Sequence, residues 1–524
     1  MVDLRKETSG DDPLPMFEER RTRIRTEMGG IKRIERIRAA GLFTARERIE
    51  RLLDPGSFQE IGTFAASLRA EDRDNTPGDG RIAGFGRLDG RPIGLVADDA
   101  TVKGASASVV NIRKADRVYR QALKAGHPLI FLGETRGSRI PDYLGSDGLS
   151  EVSGEAVDWT LRARSIPLAT VITGPSFGGS TFVAAMSDLV VQIRGTCLAV
   201  VSPRVIEVAT GEKTDFETIG GVELHGKITG QVDLVADNED DAFAMLRRWL
   251  SYLPPSCHER PPRVEPRQPE TGTSLAKLVP TERRMPYDMR KLLPALLDGG
   301  EFLELKPDFG RSLITALARI EGHTVGIIAS NPIFGAGAID PAACDKGTRL
   351  LCLCDAFGLP IVLLHDSPGF MVGSRVEAQK IQSKTVLFLQ ALMQCSVPRF
   401  SVILRKSYGL SYTSLGGAGT NSDLLVAWPG AEVGFMDPAV AANAIHGAEL
   451  SMMEGDARKA RARQLATELS SNNEPYAAAR TMRIDEIIHP NETRSVLAEA
   501  LIRHAAGRRV DPALRLLRWW PTCW

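Results

Sequence analysis

The sequence predicts an α/β protein in which one fold is used twice. Two observations carry this reading: short apolar runs alternating with amphipathic helical stretches, and an internal repeat that keeps glycines and prolines in step. The runs IGLVAD, PLIFLGE, LATVITG and LVVQI are rich in Val, Ile and Leu and lack polar alternation. Strands covered on both faces have that character, and stretches such as NIRKADRVYRQALKAG between them read as helical crossovers.

The repeat is visible by direct comparison. RLDGRPIGLVADD from Arg87 aligns with RIEGHTVGIIASN from Arg319, a shift of 232 positions. Without a gap the same shift pairs Gly126 with Gly358, Pro128 with Pro360, Glu134 with Asp366 and Gly137 with Gly369. SIPLATVITGPSFGGS from Ser165 then matches SVPRFSVILRKSYGLS from Ser396 at a shift of 231, pairing Gly178 with Gly409. Upstream, the LLD of residues 52–54 answers that of 296–298.

A chain of 524 residues is long enough for two large domains, since a domain takes roughly 100 to 200 residues. Between the copies, LPPSCHERPPRVEPRQPETG is too rich in proline for a continuous helix or ladder and reads as a linker. The expected division is an N-terminal extension over 1–27, a first domain over 28–254, a linker over 255–280, a second domain over 281–510 and a tail over 511–524. Near the start, Thr44 and Glu47 predict a capping box for the helix TARERIERLLD, which Pro55 and Gly56 close.

Composition excludes several classes of function. Lys plus Arg and Asp plus Glu both number 65, so no bulk field favours nucleic acid or a membrane surface. The polar start MVDLRKETSGDDPLP lacks the apolar core of a secretory signal, and DLVVQIRGTCLAVV is interrupted by Arg194 short of the roughly 20 residues a bilayer span needs. A soluble cytoplasmic protein working on small molecules is expected. Seven cysteines without a CxxC pair and eight dispersed histidines predict reduced buried thiols and no metal site.

Open α/β folds gather their sites where the buried strands end. Two such turns occur in both copies: Gly133 to Ile140, answered by His365 to Val372, and Thr173 to Ser180, answered by Leu404 to Ser411. A strand running through small residues into a helix leaves unpaired N–H groups at the helix N-terminus, where negative charge is favoured. Gly178 and Gly179, with an N–H from Gly137 or Ser138, are therefore expected to form an oxyanion hole. Gly409 and Leu410, with Gly369 and Phe370, are expected to form a second. A competing motif overlaps the first: GPSFG, residues 174–178, satisfies G-x-S-x-G and offers Ser176 as a hydrolase nucleophile. Its counterpart Ser407 stands in RKSYG, where the first glycine is missing, so a packing need explains the shared small residue better.

GLFTARERIERLLDPGSF from Gly41, ATGEKTDFETIGGVELHGKITGQVD from Ala209, DSPGFMVG and RKSYGLSY together resemble the carboxyltransferase (beta) subunits of biotin-dependent acyl-CoA carboxylases of the propionyl-CoA and methylcrotonyl-CoA type. The similarity runs from about residue 28 to 510. It implies two tandem crotonase-like (ββα superhelix) domains. It further implies that the first holds the acyl-CoA, with Gly178 and Gly179 stabilising a thioester enolate. The second would receive biotin carried on a partner subunit, with Gly409 and Leu410 on the ureido oxygen. The same resemblance marks Lys103, Gly104, Ala105, Ser106, Arg139, Tyr408 and Tyr412 for contacts with CoA or biotin. It implies a biotin carboxylase and biotin carboxyl carrier (alpha) subunit as partner, a homohexamer, and a base supplied by biotin rather than by a side chain.

Three departures from the family pattern stand out: ETRGSRIP in place of DSGGARIQ, Glu377-Ala-Gln379-Lys380-Ile in place of Glu-x-Gly-Gly-Ile, and Leu at 410 in place of a small residue. A biotin-dependent decarboxylase of malonyl-type CoA esters, a serine hydrolase using Ser176 and a non-catalytic scaffold are the alternatives to a carboxylase subunit.

Overall fold

The structure, a computed structural model, describes residues 13–151, 162–270, 274–505 and 511–521. Residues 1–12 of the expected extension, 271–273 of the expected linker and 522–524 of the expected tail lie outside the described residues. The chain divides into two compact units: one comprises residues up to 162 with 168–224 and 235–244, the other 163–167, 225–234 and 245 onward.

In the first unit the sheet runs β1 (Gln59–Ile61), β2 (Arg81–Leu88), β3 (Arg91–Asp98), β4 (Leu129–Thr135), β5 (Leu168–Phe177), β6 (Leu189–Ile193) and β8 (Leu234–Ala236), with β7 (Cys197–Ala199) pairing the end of β5. The first three strands are antiparallel and β3 to β6 are parallel. The second unit repeats this strand for strand. It runs β9 (Phe302–Leu305), β10 (Leu313–Ile320), β11 (His323–Ser330), β12 (Ile361–Ser367), β13 (Arg399–Tyr408), β14 (Leu424–Ala427) and β16 (Glu486–Ile487), with β15 (Glu432–Gly434) on the end of β13. The duplication read from glycines and prolines is thus a duplication of topology.

Every residue of β12 and β13 is buried, so the missing polar alternation reflects strands covered on both faces. The helices Val109–Ala125 and Pro341–Phe357 are the crossovers into β4 and β12, and each ends at a glycine in the left-handed region, Gly126 and Gly358. The capping box is present: Glu47 N–H donates to Thr44 Oγ1 at 3.3 Å and Thr44 N–H to Glu47 Oε2 at 2.7 Å. The Pro-rich stretch does not hang free, because Val264 N–H donates to Gly322 O at 3.0 Å and attaches it to the β10–β11 hairpin of the second unit. Among the described residues no helix is long and apolar enough to cross a membrane.

Each sheet has an irregularity where its strands end. The pairing of β4 with β5 shifts register between Gly133 and Thr135, and that of β12 with β13 between His365 and Ser367, and pairing resumes beyond each shift, Thr135 with Ser176 and Ser367 with Ser407. Such bulge-like shifts are over-represented next to sites.

Each crossover helix also carries one buried lysine at the same place. Lys114 Nζ donates to Arg81 O at 2.6 Å, and Lys346 Nζ to Lys306 O and Phe309 O at 2.9 Å each. Burial brings the Lys346 ammonium down to about 7. A neutral amine keeps two N–H donors for those two carbonyls. Lys346→Met leaves both without a donor and is expected to cost about 2–6 kcal/mol, at 1–3 kcal/mol for each unpaired buried group. From pH 7 up to the ordinary lysine value of 10.5 the folded chain holds fewer protons here than the unfolded one, so this residue's contribution to stability rises with pH. The gap between parent and variant in urea titrations should therefore widen from pH 7 to 10; a constant or narrowing gap would contradict the assignment.

Candidate active site

In each unit the site begins with a glycine that no other residue replaces cheaply. β5 passes into the helix Gly179–Met186 through Gly178 at φ 65°, ψ −128°, and β13 into the helix Leu410–Ser414 through Gly409 at φ 56°, ψ −141°. The turned peptide directs the glycine's own N–H sideways. Gly178 donates to Val200 O at 3.0 Å, just beyond β7, and Gly409 to Gly434 O at 2.9 Å, at the end of β15. Those two N–H groups are engaged, which corrects their expected use as oxyanion donors. The next N–H in each chain segment, of Gly179 and of Leu410, has no protein acceptor among the described residues.

The adjoining turn behaves in the same way. Gly137 N–H is held by Thr135 Oγ1 at 3.2 Å, and Gly369 N–H by Ser367 Oγ at 3.2 Å. Ala107 pairs with both sides of Ser138, and Ile339 with both sides of Phe370, so the Ser138 and Phe370 N–H groups have no acceptor among the described residues. The Gly137 Cα lies 3.7 Å from where a Cβ on Gly178 would stand, so the two turns of the first unit touch. Each unit thus presents two unengaged N–H groups: Ser138 with Gly179, and Phe370 with Leu410. The second member of every expected pair is the available donor.

A third turn closes the edge. Lys103, Gly104 and Ala105 are all left-handed, at φ 50°, 62° and 50°, and the second unit repeats this with Gly335, Ala336 and Gly337. Left-handed backbone costs roughly 1–2 kcal/mol per non-glycine residue, so the turn needs anchors. Thr135 Oγ1 donates to Ala105 O at 2.7 Å, Arg136 N–H to Gly104 O at 3.0 Å, and Arg139 Nη2 to Ser106 O at 3.2 Å.

Of three residues expected to touch a ligand, Arg139 and Tyr408 are committed to the interior and Tyr412 is half-buried. Arg139 is buried and its Nη1 lies 2.6 Å from Asp79 Oδ1, so it braces the 103–108 turn from below. Tyr408 is buried with its hydroxyl on Glu432, a carboxylate that also pairs with Arg283 at 3.0 Å. Burial and that carboxylate push the phenol up. Tyr412 is half-buried against Gly417, its hydroxyl 3.5 Å from Arg483 O. The hydrolase motif also fails on geometry. Ser176 is fully buried, and its Oγ pairs with Ser180 Oγ at 2.6 Å rather than with a histidine. The counterpart Ser407 does meet a histidine, His365 Nδ1 at 3.0 Å, but both are fully buried, and burial brings that imidazole down to about 4.

Sequence reasoning missed the carboxylates beneath these turns. Glu134, at the end of β4, receives Arg48, which also pairs with Glu239 at 2.6 Å. Asp366, its counterpart, receives Arg405 at 3.0 Å and Lys406 at 3.1 Å. The repeat aligned the acids, but their cations come from unrelated places. Among the described residues no group of three His, Cys, Asp or Glu could hold a metal.

Comparison with known proteins matches residues 36–515 to the carboxyl transferase domain family. The methylmalonyl-CoA decarboxylase subunit alpha of Veillonella parvula is 34% identical over 486 residues, covering 92% of this chain and 93% of that protein. The propionyl-CoA carboxylase beta chain of Roseobacter denitrificans is 34% identical over 504 residues, 93% of this chain and 96% of that one. The crystal structure of the transcarboxylase 12S hexamer with methylmalonyl-coenzyme A and methylmalonic acid bound superposes with a TM-score of 0.88 at 33% identity, covering 97% of both chains.

The bracing assigned to Arg139 is checked by Arg139→Met. It strands Asp79 as an unpaired buried charge and is expected to cost about 3–5 kcal/mol, read as an earlier urea midpoint. An unchanged midpoint would mean the guanidinium does not hold this turn.

Proposed function

We infer the function from membership: this chain belongs to the carboxyl transferase domain family, and it is an enzyme that transfers a carboxyl group at the α-carbon of an acyl-CoA. The observation that carries the mechanism is the repeated pair of unengaged backbone N–H groups. In the first unit, Ser138 and Gly179 hold the thioester oxygen. As the α-proton leaves, negative charge develops on that oxygen, and donors fixed beforehand stabilise the enolate without reorganising. Glu134 and Asp366 are each paired with cations, and the proposed mechanism assigns neither as the base.

The second pair fits a neutral carbonyl-type acceptor. Phe370 and Leu410 present N–H donors with no charged partner of their own, which suits the ureido oxygen of biotin. When bound, a biotin carried on a separate subunit supplies the carboxyl group and the base for the α-proton. The chain's part is to hold and orient it, and the Leu410 side chain, 46% exposed, lines the approach. We place the chain in a homohexamer, as in the 12S structure, working with a biotin carboxylase and biotin carboxyl carrier partner.

Two directions of transfer fit this site. The resemblance to the Veillonella parvula decarboxylase subunit favours decarboxylation of a malonyl-type thioester as the second reading. An assay of the chain with its biotin-carrying partner, ATP, bicarbonate and a series of acyl-CoA esters separates the two. Carboxylated product supports the first reading; decarboxylation of the malonyl-type ester without carboxylation supports the second; neither reaction with any ester refutes the proposal. Ser176→Ala is expected to leave turnover within a few-fold of the parent.

Gly179→Pro tests the donor directly. Proline suits the first position of a helix, so the change deletes an N–H and spares the fold. Gly179→Ala keeps that N–H, and its Cβ would meet nothing within 4 Å. Turnover of the proline variant is expected to lie about 10²-fold or more below that of the alanine variant, the usual loss for one oxyanion donor. Leu410→Pro should cause a comparable loss in the half-reaction with biotin. Equal rates for the proline and alanine variants would remove Gly179 from the mechanism.

A further inference from the structure

Arg136 stands between Thr135 and Gly137, two residues before the unengaged Ser138 N–H. Its side chain is exposed, and its guanidinium has no hydrogen-bond or ion-pair partner among the described residues. The other cation of this edge, Lys103, is occupied by Asp72 at 2.8 Å. Arg136 therefore leaves an uncompensated positive charge beside the first unit's site.

The second copy shows that the fold does not ask for this arginine. Its counterpart is Pro368, yet the turn is built the same way, with a hydroxyl holding the glycine N–H in each, Thr135 on Gly137 and Ser367 on Gly369. Gly104 gives a matching observation. A Cβ there would stand 2.7 Å from Arg136 Cδ and 3.0 Å from Cγ, so the arginine stem lies in the space that the glycine leaves. The left-handed backbone alone does not demand glycine, because the counterpart Ala336 carries a Cβ at φ 56°. Gly104 and Arg136 are fitted to each other. Their fit lays the stem across the turn and keeps the charge at the site's edge.

We propose that Arg136 is a specificity-determining residue whose guanidinium receives an anionic oxygen group of the thioester substrate, a carboxylate on the acyl portion or a phosphate of CoA. This rests on the acyl-CoA reading of the first unit given above. Guanidinium pairs with carboxylate and phosphate oxygens through forked N–H donors, and such charge-assisted bonds are about twice as strong as neutral ones. Covering of the turn by the bound thioester removes the water that would otherwise screen the pair.

The test is calorimetric binding to the full chain, the parent against Arg136→Gln and Arg136→Lys. The probes are propionyl-CoA, succinyl-CoA and the N-acetylcysteamine thioesters of the same two acyl groups. Arg136→Gln is expected to weaken binding about 10- to 100-fold for thioesters bearing the group it reads, with partial recovery in Arg136→Lys. A loss confined to the two succinyl esters identifies an acyl carboxylate; a loss confined to the two CoA esters identifies a phosphate. Gly104→Ala, whose Cβ displaces the stem, should reproduce the loss in the parent and add little in the Arg136→Gln background. The proposal is overturned by changes under about 3-fold for every probe, or by equal losses that include propionyl-cysteamine. A parent chain that binds no thioester refutes the acyl-CoA reading as well, and normal binding with unaltered Arg136 variants refutes this inference alone.

Discussion

The turn at Gly178, and its twin at Gly409, is the constraint on which the rest depends. A glycine held at positive φ with ψ near −130° to −140° points its N–H at a neighbouring carbonyl, of Val200 or Gly434, and commits it there. The following N–H, first in the helix, then has no acceptor among the described residues. β7 and β15 are short strands off the main path of each sheet, and these bonds are received just beyond β7 and at the end of β15. Without them the turn could rotate, and the donor at Gly179 or Leu410 would lose its fixed aim. A donor aimed in advance is what catalysis by electrostatic preorganisation requires.

Duplication explains why two sites of one design occur in one chain, and divergence of their side chains is what the proposed difference in ligand rests on. The backbone is common to both: the register break, the engaged glycine, the unengaged N–H and the left-handed third turn. The side chains around it are not. Arg136 answers Pro368, Ser138 answers Phe370, and Gly179 answers Leu410, so the first copy is more polar and more open where the second is apolar. A backbone device tolerates such change because side-chain substitution leaves the N–H in place. Only proline removes it.

Much of this was legible in the sequence, for a physical reason. Glycine and proline at turns answer local backbone demands, so their spacing carried the repeat and the location of both turns. Which N–H remains free was not legible, because that depends on carbonyls brought up by β7 and β15. Arg139 and Tyr408 were misread on the same ground. Each is a polar residue close to the site in sequence, and only the fold reveals Asp79 and Glu432 waiting beneath. Arg48, which reaches Glu134 from an N-terminal helix, left no local signal at all.

Those buried charges bear on how the site works. A buried ion pair is weak evidence for net stability, because desolvation offsets most of the attraction, but breaking one is costly. Placing Glu134 with Arg48, and Asp366 with Arg405 and Lys406, directly beneath the strand ends makes movement of those ends expensive. On the proposed mechanism the chain uses its charges to fix geometry and its peptide groups to do the chemistry, and the base arrives with the carboxyl carrier. Rigidity of the turns, rather than any titrating side chain, is then the property that mutations near the site would first disturb.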